Sequence, residues 1–163
     1  MKKFILDLKV SSVEALSPKH VLIKLTDEKP LPDMLPGQFV EVRVDDSPTT
    51  FLRRPISINF VDRTNNELWL LVAAIGGTRR LSRLQQGDTL NCVLPLGNGF
   101  TMPREASEKV LLVGGGVGVA PLLYFGQKIK EQGGEPTFLL GARTAADLLE
   151  LDLFKAVGRV FVT

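Results

Sequence analysis

The stretch Lys109-Val110-Leu111-Leu112-Val113-Gly114-Gly115-Gly116-Val117-Gly118-Val119-Ala120-Pro121 decides the second half of the fold. Its opening, residues 109–113, is a short apolar run bounded by glycine, which predicts a buried strand. Residues 120–132 then read as a helix, with Pro121 in the first turn, where a missing N–H is tolerated. The unit repeats downstream. Residues 137–140 form a second apolar strand, Gly141-Ala142-Arg143 a loop, and 144–157 a second helix opened by Thr144 with Asp147 three positions on, the spacing of a capping box. A third strand occupies 159–163. Strand, helix, strand, helix, strand is the order of a parallel α/β sheet with right-handed crossovers. Two such crossovers in series put both helices on one face, whereas parallel sheets are usually covered on both. Ending inside an apolar strand, the chain reads as a truncated piece of a longer protein. The alternative is a complete protein whose bare face packs on the first half of the chain or on a partner.

Upstream the period changes from 3.6 to 2. Residues 20–26 put Val21, Ile23 and Leu25 on one face, and 39–44 put Val40, Val42 and Val44 opposite Glu41 and Arg43. Further strands are expected at 4–13, 56–61, 67–73 and 89–94, with turn signals at Pro36-Gly37, Asn65-Asn66 and Gly87-Asp88. Six short strands at near-regular spacing predict an antiparallel Greek-key barrel over residues 1–102, followed by an incomplete nucleotide-binding α/β unit over 108–163.

Composition narrows the function classes. Hydrophobic residues make up 44% and charged residues 23% of 163, which excludes a disordered, charge-rich chain. Twenty Lys and Arg against 18 Asp and Glu leave a net charge of +2 with no block of one sign, so neither a nucleic-acid nor a membrane footprint is expected. The N-terminal apolar run is interrupted by Asp7 and Lys9, too early for a signal peptide, and a cytoplasmic location is expected. One cysteine, Cys92, excludes an internal disulfide and an iron–sulfur cluster held by four thiolates of these residues. Cys92 lies in an apolar strand and reads as an inert core residue; His20 stands alone, so no metal site is expected.

Several segments carry residues suited to an anionic ligand. Gly114 to Gly118 join a strand to a helix N-terminus, where backbone can approach a diphosphate and free N–H groups meet it; a tight structural turn is the other reading. Val119 occupies the last position of a Gly-x-Gly-x-x-Gly pattern, so spacing alone does not choose. Glu135 falls about twenty residues on, where a ribose-binding acid is expected, but it precedes its strand and so lies at the wrong edge of the sheet. Arg143 is on the correct edge, as a ribose or phosphate contact or a solvated arginine. In Phe51-Leu52-Arg53-Arg54-Pro55-Ile56-Ser57, Pro55 is expected to open a strand, leaving Arg54 in the loop for an anion. Ser57 and Asn59 then share a polar face opposite Ile56, Ile58 and Phe60; the alternative is a half-exposed strand with two surface arginines. Gly76-Gly77-Thr78 precedes a short helical stretch with Thr78 as its N-cap, a second phosphate cradle or a plain capped turn. Phe100 ends the barrel, either covering a flat ligand or plugging the core.

Taken in order, Pro36-Gly37-Gln38-Phe39, Arg54-Pro55-Ile56-Ser57, Gly77-Thr78, Pro95-Leu96-Gly97-Asn98-Gly99-Phe100 and Gly114 through Pro121 resemble the ferredoxin-reductase superfamily, and within it the electron-transfer subunits of dihydroorotate dehydrogenases. The resemblance spans essentially the whole chain. It implies a barrel that binds FAD and an α/β unit that binds NAD. By position it gives Arg54, Pro55, Ile56 and Ser57, then Leu70, Leu71 and Val72, then Gly77 and Thr78 to FAD, with Ser57 near flavin N5 and Arg54 at the diphosphate. Leu71 and Val72 depart from the more polar or aromatic residues of that strand, so backbone contacts are expected there. Gly115, Gly116, Val117, Gly118 and Arg143 are given to NAD. The implied partner is an FMN-containing dihydroorotate dehydrogenase catalytic subunit in a hetero-oligomer serving pyrimidine biosynthesis. A 2Fe-2S cluster is expected only in the missing C-terminal segment, and the fragment alone is expected to be inactive. Alternatives are a reductase subunit serving ferredoxin, a hydrogenase or sulfur reduction, or a cofactor-free interaction module.

Overall fold

Alternation along the first hundred residues produces seven antiparallel strands: β1 (Phe4–Ser17), β2 (His20–Thr26), β3 (Phe39–Val42), β4 (Arg54–Ser57), β5 (Phe60–Asp62), β6 (Glu67–Ala73) and β7 (Thr89–Leu96). A computed structural model describes residues 2–45 and 50–163. The strands form one sheet in the order β4-β3-β7-β1-β2-β6-β5. Its two edge strands are successive pieces of one segment, so the sheet closes on itself. Ile58 N–H donates to the Gln38 carbonyl at 3.0 Å and Asn59 N–H to the Trp69 carbonyl at 3.0 Å, so the pairing partner changes between these two residues. The single strand expected over 56–61 is therefore two, and the six-stranded barrel gains a seventh strand by a corner rather than by a new segment. The corner also breaks the expected polar strip, because Ile58 and Asn59 are both fully buried. Arg54 lies inside β4, paired with Val42, not in a preceding loop. Strand β7 is inserted between β3 and β1, and its residues pair with segments far away in sequence, Leu94 with Phe4 and Leu96 with Phe39.

Leu8, Ile23, Leu25, Val40, Val42, Leu70, Cys92 and Leu94 fill the barrel with no exposed surface. A 3-10 turn, Gly76–Arg83, closes one end with Leu81 in the same core. Thr78 is inside this turn instead of capping it. Its hydroxyl donates to carbonyls of Ala73 and Ile75, and its N–H to Ile75.

The second sheet is parallel, in the order β10-β9-β8, from β8 (Leu111–Gly115), β9 (Thr137–Gly141) and β10 (Arg159–Val162). Helices α1 (Ala120–Glu131) and α2 (Leu151–Val157) pack on one side of it over Leu112, Phe138 and Leu140. The Phe138 and Phe154 rings meet edge-on at 4.9 Å, a geometry worth roughly 0.5–1.5 kcal/mol beyond burial. On the other side Leu111, Val113 and Phe161 are 60%, 62% and 54% exposed, as expected when both crossovers have the same hand. The helix expected over 144–157 is interrupted. Residues Ala145–Asp147 make a short 3-10 turn, and Glu150, at φ 54°, adopts a left-handed conformation before α2 begins. Thr144 and Asp147 do meet, but hydroxyl to carboxylate at 2.8 Å, which leaves the helical N–H groups without the expected cap.

The two halves exchange anchors. Tyr124 of α1 is buried in the barrel's core, its ring edge-on to Phe60 at 5.8 Å and its hydroxyl donating to the Met34 carbonyl at 3.1 Å. Leu71 of β6, whose neighbours Leu70 and Val72 point into the barrel, is buried among the residues beneath α1 and α2.

Candidate functional site

Where the barrel meets the start of α1 there is a cavity of about 400 Å³. One wall belongs to the barrel: Pro55, Ile56 and Ser57 of β4, Leu71 and Ala73 of β6, and Ile75 and Thr78 at the 3-10 turn. The other wall is Val117, Gly118, Ala120 and Pro121. Residues 39 to 66 positions apart in sequence thus face one space across the two walls.

The barrel wall depends on β4 being an edge. Proline cannot donate to a ladder, and β4 pairs through β3 alone, so Pro55 is accommodated there. Arg54 stands at the head of this strand with its guanidinium against Gly77. A Cβ on Gly77 would lie 2.7 Å from both Nε and Nη2 of Arg54, so only glycine permits this approach. Arg54 Nε is buried without a hydrogen-bond partner, one of three such side-chain atoms among the described residues. A buried donor left unpaired costs about 1–3 kcal/mol, and an anion seated beside it removes that cost. Neither Arg54 nor Gly77 is among the residues that line the cavity; they adjoin Pro55 and Thr78, which do, and the cradle with its orphaned Nε suits an anionic group such as a diphosphate. Both polar hydrogens of Thr78 are used within its own turn.

The opposite wall follows a run of glycines with distinct tasks. Gly116 has φ +53°, which a side chain would strain, as β8 turns into the 3-10 segment Gly116–Val119. Gly114 is pressed on Leu122, whose Cδ1 would be 2.8 Å from an added Cβ. Around Gly118 the space is open to 4 Å. The amino end of the twelve-residue α1 follows at once, with its partial positive charge and N–H groups.

Other expected site residues are placed differently. Leu70 and Val72 turn their side chains into the barrel core, so of that strand Leu71 and Ala73 reach the cavity. Gly115 and Gly116 do not line it. Arg143 is exposed beyond the end of β9, on the same sheet edge but outside the lining. Glu135 lines a separate cavity with Lys109, Lys130 and Arg159 at the opposite edge of the parallel sheet, away from the carboxyl ends where such sheets bind ligands. Arg53 is structural: it donates to the carbonyls of Glu41 and Asn91 at 3.2 Å each and to the Asn91 side chain. Phe100 packs on Phe125 of α1 at 4.9 Å and against Gly37, joining the two halves. His20 is satisfied by Ser17 at 2.9 Å, and burial pushes the Cys92 thiol up to about 12, far from reactivity. The apolar residues Ala73 and Ile75 were not singled out by sequence; only their place between a strand end and Gly76-Gly77 hinted at them.

Among the described residues no helix is long and apolar enough to cross a membrane. No family model matches the chain. It is 42% identical over 129 residues, 78% of its length, to the dihydroorotate dehydrogenase B (NAD(+)) electron transfer subunit of Shouchella clausii, and 40% identical over 159 residues, 96% of its length, to that of Streptococcus pneumoniae. The chain spans 50% and 62% of those two relatives. Among solved structures, an NADH-dependent reduced ferredoxin-NADP oxidoreductase superposes with a TM-score of 0.82 at 29% identity, over 95% of this chain and 55% of that one. Phthalate dioxygenase reductase, a modular structure for electron transfer from pyridine nucleotides to [2Fe-2S], shares the fold with a TM-score of 0.82 at 23% identity, over 98% and 51%.

Proposed function

We propose that this chain, homologous to the electron transfer subunits of dihydroorotate dehydrogenase B, binds FAD along the barrel wall of the cavity and admits NAD along the glycine wall. The observation that carries this reading is the single space shared by Pro55, Ile56, Ser57 and Thr78 on one side and Val117, Gly118 and Pro121 on the other. Bound there, FAD supplies hydride exchange with nicotinamide and the transfer of single electrons. Arg54 pairs with the diphosphate through its buried, unpartnered Nε, and Gly77 gives it room. Ser57 offers its hydroxyl to the flavin at N5. Leu71 is the apolar floor, whereas Leu70 and Val72 contribute backbone alone. Gly115, Gly116, Val117 and Gly118 let a dinucleotide approach the amino end of α1, and Arg143 meets its ribose or phosphate. The electrons pass to or from an FMN-containing dihydroorotate dehydrogenase catalytic subunit in a cytoplasmic hetero-oligomer. One buried cysteine cannot ligate a two-iron cluster, so any cluster on the route is held by thiolates outside these 163 residues.

Purified intact protein incubated with FAD is expected to turn yellow and to bleach anaerobically with NADH; reoxidation by the catalytic subunit identifies the partner. A preparation that stays colourless overturns the reading. Bleaching by NADPH alone, with no response to that subunit, points to a ferredoxin-type reductase instead.

A further inference from the structure

The corner that closes the barrel is also where its two halves are joined. Asn59 is completely buried there. Its N–H donates to the Trp69 carbonyl of β6 at 3.0 Å, and its carbonyl accepts from Tyr124 N–H of α1 at 3.2 Å. Its Nδ2 donates to the Ala120 carbonyl at 3.1 Å and to Glu150 Oε2, just before α2, at 2.8 Å. Ser57 lies two residues before Asn59, and Gly118 two residues before Ala120; both line the cavity. One side chain therefore spans the short path between the two walls.

The pair is not saturated. Asn59 Oδ1 and Glu150 Oε1 are both buried without a partner. An ionised carboxylate is acceptor only, so two acceptors face no donor; a carboxylic acid brings one. We infer that Asn59 is a positioning residue that sets the glycine wall against Ser57, and that Glu150, seated as a carboxylic acid, is the partner that holds it. Burial raises the Glu150 pKa to about 7, Glu14 of β1 adds to the rise, and the Asn59 hydrogen bond and Lys24 of β2 oppose it. The folded chain holds this proton above the ordinary value of 4.5, so the junction is at full strength below about pH 4.5, weakens as pH rises to about 7, and is level above that. Across that window the folding equilibrium constant falls by roughly three hundredfold.

The test compares wild type with Glu150→Gln in the intact protein. Glutamine keeps the size, accepts from Asn59 Nδ2, adds an N–H donor and does not titrate. Equilibrium unfolding between pH 4.5 and 8.5 is expected to show a decline of roughly three hundredfold in wild type that is missing from the variant; superimposable profiles overturn the inference. A second arm rests on the FAD and NAD reading above. Asn59→Ala is expected to slow FAD reduction at saturating NADH at least tenfold while FAD affinity stays within twofold. An unchanged rate, or an equal loss of affinity, overturns the positioning role. Should Asn59→Ala fail to fold, Glu150→Gln decides the same point: its reduction rate is expected to stay flat through pH 7 where the wild-type rate declines, and a shared decline overturns the role. If wild type binds no FAD, that reading fails, and the unfolding arm still decides the Glu150 junction.

Discussion

The barrel and the parallel layer bury their strands by different means. In the barrel the strands curl round a common core, and where α1 lies outside it a run such as Leu70, Leu71 and Val72 is covered on both sides, inward by the core and outward by the residues beneath the helices. In the layer only alternate residues are enclosed. Phe138 is fully buried under the helices, while Phe161, one position along on the adjacent strand, is 54% exposed. Closure makes the barrel self-sufficient, and the layer borrows cohesion from it through Leu71, Tyr124 and Asn59. The candidate site sits on that border, where a wall of the closed sheet faces one formed at the start of α1.

Four substitutions test this contrast. Phe138→Ala removes the ring that Phe154 and Gly126 enclose, and is expected to lower stability by about 3–5 kcal/mol in a denaturant melt. A loss below about 1 kcal/mol would mean that the helices do not depend on this contact. Arg54→Ala acts on the barrel side, beside Pro55, where the fold is expected to tolerate it; FAD titration is expected to show affinity weaker by about 1.5–3 kcal/mol, as for a charge-assisted bond. Equal affinities in variant and wild type would remove Arg54 from the site. Gly77→Ala pushes the same guanidinium aside and is expected to weaken FAD by about 1 kcal/mol, with the unfolding midpoint retained. Least of all, Val113→Thr on the bare face is expected to shift stability by under about 0.5 kcal/mol, because its methyl groups already meet solvent. A large destabilisation there would show that this face is covered in solution.

What sequence made legible was local. Val21, Ile23 and Leu25 alternate because each side chain answers to its own strand, and the glycines of 114–118 stand out as a run in which Gly114 and Gly116 are required by close packing on Leu122 and by a positive φ. The corner at Ile58 and Asn59 was hidden, since 56–61 alternates like one strand and what divides it is a change of hydrogen-bond partner from Gln38 to Trp69. The break before α2 was hidden for a similar reason: Thr144 and Asp147 have capping spacing, yet the hydroxyl bonds the carboxylate, and Glu150 turns toward Asn59. In the site, Arg54, Ser57 and Gly118 were legible as residue types suited to an anion and a flat ring. The inward turn of Leu70 and Val72 was not, because alternation gives two faces without saying which meets the cavity. Asn59 had one signal, a lone amide between Ile58 and Phe60, and its meaning came from a partner ninety-one positions away.

Strand β7, the last strand of the barrel in the chain, pairs between β3 and β1. Until Thr89–Leu96 is available, β1 and β3 each carry an open edge, and the pairs that close them, Phe4 with Leu94 and Phe39 with Leu96, join distant parts of the chain. Barrels dominated by such long-range pairing fold in roughly milliseconds to seconds. A nascent chain halted before residue 96 would present two unpaired ladders, the template from which strand-exchanged aggregates grow.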